Sequence, residues 1–87
     1  MSNQSLIASI ENGISEHEQG NLELLALERL VVDAASALEA MPYHLIQQFE
    51  EIRSDLQIDR FLSEDGFVSD TAELVIRLRA WLDHVPQ

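Results

Sequence analysis

Apolar residues recur along this chain at spacings of three and four, and only three glycines and two prolines interrupt them. That period belongs to the α-helix, where residues three and four apart share a face, whereas a half-buried strand alternates every second residue. No stretch shows secure alternation. A chain patterned this way must bury helical stripes on one another, so the expected fold is all-α, a small four-helix bundle or an orthogonal helical array. Splitting 87 residues would leave both halves short of core, so residues 1–87 are expected to form a single helical domain.

The punctuation sets the expected elements. Leu6, Ile7, Ile10 and Ile14 mark a short first helix after Ser2 and Asn3 as candidate caps, ending near Gly13, with Ser15 to Gly20 as a connection. Asn21 offers an N-cap for a long second helix, whose face is Leu24, Leu27, Val31, Ala34, Ala35, Leu38 and Met41 and which Pro42 ends. Leu22, Leu25 and Val32 fall off that face, so helix two is apolar on a second side. That side reads either as contact with a second neighbouring helix or as a seam for a partner or a second copy.

Pro42 suits the first turn of a third helix, because its missing N–H has no intrahelical partner there. Leu45, Phe49, Ile52 and Leu56 form its stripe, flanked by Ile46, while His44, Gln47, Gln48, Glu51, Ser54 and Asp55 form its wet side. Ile58, Phe61 and Leu62 would point away from the stripe, which predicts a stop or redirected turn between Gln57 and Ser63. Ser63 to Gly66 reads as a turn. Asp70 and Glu73 make a capping box for helix four, whose core face is Leu74, Val75, Leu78, Trp81, Leu82 and Val85 before Pro86.

Several chemistries fail on residue type or spacing. The glycines are isolated and there is no lysine, so no phosphate-binding loop is present. Placing Gly66 sixth in a calcium loop puts Phe61 first and Ala72 twelfth, where carboxylates are required. His17, His44 and His84 show neither the four-residue spacing of a helical ligand pair nor a glutamate three residues before them. Cysteine is absent, which removes disulfides and thiolate chemistry. Neither metal nor cofactor is expected, and no constellation points to an enzyme. Trp81 lies in the helix-four stripe and reads as core.

Charge narrows the partner. Sixteen acids against five arginines give −11, which disfavours nucleic acid and anionic membrane surfaces as ligands. No apolar run approaches the roughly 18 residues of a membrane span, and Met1 to Ser5 lacks the basic region of a signal peptide. A cytoplasmic location is expected. The last stretch, 71–87, is balanced, with two acids and two arginines, while Glu73 and Arg77 have helical ion-pair spacing. The excess lies earlier. Glu51 and Asp55 sit one turn apart on the wet face of helix three, and with Glu50, Asp59, Glu64 and Asp65 they form the candidate partner-binding surface.

Two functions follow as expectations. The first is a small acidic inhibitor or immunity-type protein that neutralises a basic partner such as a nuclease or another toxin, its carboxylates standing in for phosphates. The second is a helical adaptor, regulatory or oligomerisation module, including a homodimer, that uses Leu22, Leu25 and Val32.

Overall fold

The computed structural model describes residues 2–64, 66 and 71–86. Among these the chain is all-α, with α1 Asn3–Glu18, α2 Leu24–Ser36, α3 Tyr43–Glu64 and α4 Thr71–Leu82. Its contacts define two units, one comprising residues up to Met41 together with Val85 and Pro86, the other running from Pro42 to His84. None of the described helices is long and apolar enough to cross a membrane.

In the first unit α1 packs along α2. Ser2 caps α1 as expected, its Oγ accepting from the Ser5 N–H at 3.2 Å. The helix does not end near Gly13 but runs through it to Glu18. Gly13 is buried, and a Cβ there would stand 3.0 Å from Cδ2 of Leu30, so this glycine admits the neighbouring helix. A glycine inside a helix costs about 0.5–1 kcal/mol relative to alanine, and the close approach offsets it. Ile14, one residue on, is fully buried.

The glycine that ends α1 is Gly20, at φ +81°. Its N–H donates to the His17 carbonyl at 3.0 Å and the Asn21 N–H to the Glu16 carbonyl at 2.9 Å, the paired bonds of a Schellman motif. Asn21 therefore closes α1 rather than opening α2. His17 Nδ1 lies 2.7 Å from the Leu22 carbonyl and ties down the connection. The second helix starts later than expected, after Glu23, which makes no side-chain capping bond.

It also ends earlier, at Ser36 instead of continuing to Pro42. Ser36 Oγ donates back to the Val32 carbonyl, and the Ala37 and Leu38 N–H groups take the tighter three-residue bonds of a closing turn. Glu39 is then held by a side chain. Asn3 donates through Nδ2 to the Glu39 carbonyl at 2.8 Å and to the Pro86 carbonyl at 2.9 Å, and its Oδ1 accepts from the Glu39 N–H at 2.8 Å. Asn3, read from sequence as a second cap candidate, is a clamp between three chain segments.

Each hydrogen bond of this kind contributes about 0.5–1.5 kcal/mol net, with exposed ones at the low end. Asn3→Ala is accordingly expected to lower the unfolding free energy by about 1–2 kcal/mol in urea titration. Asn3→Asp should do no better, because a carboxylate would face two carbonyl oxygens. A loss below about 0.5 kcal/mol for both would show that the clamp contributes little.

In the second unit α3 packs on α4. Pro42 stands just before α3, its carbonyl accepting from Leu45 and Ile46 N–H at 3.0 and 3.2 Å. Leu45, Phe49, Ile52 and Leu56 are buried, as are Leu74, Val75, Leu78, Trp81 and Leu82 from α4. Trp81 meets Phe49 with ring centroids 5.0 Å apart, and its Nε1–H donates to the Leu45 carbonyl at 2.9 Å. Val85, the last residue of the expected helix-four stripe, is buried in the first unit.

The stop expected between Gln57 and Ser63 does not occur, and α3 continues unbroken to Glu64. The apolar residues beyond Leu56 simply remain outside: Ile58 is 55%, Phe61 50% and Leu62 38% exposed. The buried row is instead continued by Asp59, which is 4% exposed and follows Leu56 at the three-residue step. Ser63 and Glu64 thus belong to the helix rather than to a turn, and Gly66 follows at φ +83°. Asp70, the expected cap of α4, lies outside the described residues, as does Asp65.

Candidate functional site

Five of the six acids chosen from sequence fall on α3 among the described residues, but they do not form one surface. At about 100° per residue, Glu51 and Asp55 share one side of the helix, while Glu50 and Glu64 lie on another. Glu50 accepts from Arg53 Nη1 at 3.1 Å and Glu64 from Arg60 Nη1 at 3.4 Å, both within α3. The Arg60 guanidinium also lies 4.6 Å from the Phe61 ring centroid. Such exposed pairs contribute between zero and about 1 kcal/mol, so they mainly cancel charge.

Asp59 is not on the wet face at all. Its carboxylate accepts from the Thr71 hydroxyl at the start of α4, inside the α3–α4 packing. That placement corrects the reading of Asp59 as a docking acid: a buried carboxylate already engaged by its own chain cannot meet a partner without being uncovered. Asp65 lies outside the described residues.

Glu51 lines a groove between α3 and α4, and Asp55 lies one turn further along α3. Arg77 on α4 reaches Asp55 Oδ2 through Nη1 at 2.7 Å, with both side chains roughly half exposed. Arg77, which has helical ion-pair spacing from Glu73, thus joins the two helices through Asp55. The adjoining groove encloses about 320 Å³ and is lined by Gln48, Glu51, Ile52, Arg77, Ala80, Trp81 and His84. Gln48, Glu51, Ala80 and His84 are exposed along it and Arg77 is half-buried, while Ile52 and Trp81 are buried. Glu51 has no salt bridge among the described residues.

Sequence reasoning found Glu51 and Asp55 and put Gln48 and His44 on the same side. It missed Arg77, Ala80 and His84 as members of the site, because the pairing of α3 with α4 places them there. The residues of the helix-two seam, Leu22, Leu25 and Val32, are all half-buried. Exposed apolar side chains at helical spacing lie instead on α3, at Ile58, Phe61 and Leu62 and at Tyr43 and Ile46.

No three His, Asp or Glu side chains among the described residues are grouped to hold a metal ion. No buried side-chain nitrogen or oxygen among them lacks a partner. No family model, curated protein or solved structure matches the chain.

Proposed function

We propose that this chain is an acidic protein-interaction domain that neutralises a basic protein partner, as an inhibitor or immunity-type protein does for a nuclease or another cationic toxin. The observation that carries the reading is the uncancelled charge. The unit holding α1 and α2 has seven acids and a single arginine, Arg29, and Glu11, Glu23, Asp33 and Glu39 are exposed. In the other unit, arginines are engaged with Glu50, Asp55 and Glu64, and Glu51 is left over. A field of one sign steers an oppositely charged protein and repels phosphate backbones and anionic lipid alike. A non-catalytic role in the cytoplasm fits this reading, since inhibition needs only coverage of the partner's basic face.

The reading is tested by association kinetics with a panel of basic nuclease domains across a salt series. Steered association is fast and falls steeply with ionic strength, whereas neutral encounter runs near 10⁵–10⁶ M⁻¹s⁻¹, on the order expected without steering. At least a tenfold fall in the association rate from low to high salt, together with loss of nuclease activity, is the expected result. A salt-independent rate, or binding without inhibition, would remove it.

The adaptor reading is kept by one observation, the exposed Ile58, Phe61 and Leu62 on a single helix. Its surface would be the outer side of α3 in preference to Leu22, Leu25 and Val32. Sedimentation of the same preparations decides it: a strict monomer at high salt, where like-charge repulsion is screened, excludes a homodimer.

A further inference from the structure

We infer that the outer face of α3 is a twofold interface between two copies of this chain, with their α3 helices antiparallel. This gives the oligomerisation alternative a face and a register, and it does not depend on capture of a basic partner. Tyr43 and Phe61 lie five full turns apart on one line of the helix, at 3.6 residues per turn. Ile46 and Ile58 flank that line on either side. All four are at least 44% exposed, and both pairs have Ile52 as their midpoint. Between them the face is polar, with Gln47, Glu50, Ser54 and Gln57 exposed.

A twofold interface has to complement itself, because each copy presents the same patch. In an antiparallel pair centred on Ile52, Tyr43 and Ile46 of one copy come to Ile58 and Phe61 of the other, once at each end of the face. The polar middle then meets its own copy. Glu50 of one copy also comes within one residue's rise of Arg53 of the other, whereas a parallel pair would set Glu50 against Glu50 and align the two helix dipoles. Charge favours a second copy over a cationic protein at this face. The chain carries −11, yet the one carboxylate on this strip, Glu50, is held by Arg53 at 3.1 Å. A basic partner finds little here to steer it, while two copies can meet without the repulsion that their acidic surfaces impose elsewhere.

Sedimentation equilibrium of the full chain is the first test. The expected result is a monomer–dimer equilibrium with a Kd below about 1 mM, in keeping with a small interface, that strengthens from low to high salt as the remaining acids are screened. Phe61→Ser should weaken it by about tenfold or more with helical circular dichroism unchanged, and Ile76→Ser, an exposed apolar position on α4, should leave it as it was. Cysteine is absent from the chain, so single introduced cysteines report the register. Gln47→Cys and Gln57→Cys in equal mixture should be joined by a short bis-maleimide. Either variant alone should not, since its two thiols would lie about 15 Å apart along the axis at 1.5 Å per residue. A strict monomer at high salt would overturn the dimer and leave the face to a different partner. Dimerisation unaffected by Phe61→Ser would overturn this face while leaving self-association standing. Cross-linking of each cysteine variant alone, or a dimer that weakens with salt, would overturn the antiparallel, charge-balanced pairing.

Discussion

Trp81→Ala is expected to lower the unfolding free energy by about 3–5 kcal/mol, the range for truncating a buried large aromatic. A chain of this length has in total about 4–13 kcal/mol, so the variant should lose a large share of its stability and unfold outright at the low end of that range. The indole is 3% exposed, packs against Phe49 at 5.0 Å, and donates to the Leu45 carbonyl across the α3–α4 junction. Alanine would leave a cavity and remove the ring contact and the cross-helix bond together. Trp81→Phe separates these effects, because it retains an aromatic against Phe49 and loses the N–H, which is expected to cost about 0.5–1.5 kcal/mol plus a small packing loss. Urea unfolding followed by far-UV circular dichroism is the measurement, since Trp81 is the only tryptophan and fluorescence disappears with it. Losses below about 1 kcal/mol in both variants would mean that Trp81 does not hold α3 to α4.

The contrast between Trp81 and the chain's glycines shows what the sequence could convey. Apolar spacing marks Leu45, Phe49, Ile52 and Leu56 on α3 and Leu74 to Leu82 on α4 because burial itself has the helical period. Glycine has two uses that look alike in sequence. Gly13 admits Leu30 and lies inside a helix, and Gly20 takes a positive φ and ends one. Only the position of the neighbouring helix separates them. Asn21 has the side chain of an N-cap, but its backbone N–H belongs to the preceding helix terminus, so the boundary shifts to Glu23.

The candidate site divides in the same manner. Glu51 and Asp55 are legible as helix-face neighbours because their spacing is local. Arg77 is not, since its bond to Asp55 crosses from one helix to another. The charges on α3 read as one acidic field until partners are assigned. Arg53 and Arg60 then cancel Glu50 and Glu64, and the uncancelled carboxylate is Glu51. The apolar residues after Leu56 read as a stop or redirected turn because the stripe rule assumes that every core position is apolar. Asp59 breaks that assumption.

Asp59→Ala is expected to cost about 1.5–3 kcal/mol, the value of a hydrogen bond with a charged partner. The carboxylate is 4% exposed and accepts from the Thr71 hydroxyl in the first turn of α4, where a negative charge also interacts favourably with the helix dipole. Asp59→Asn keeps an acceptor for Thr71 and gives up the charge, so it should lose less than alanine. Thr71→Val should be costly for the opposite reason, removing a donor from a buried carboxylate. The double variant Asp59→Ala with Thr71→Val is therefore expected to show a coupling of about 0.5–3 kcal/mol in urea titrations. Strict additivity, or a gain in stability from Asp59→Ala, would mean that the pair does not join the helices.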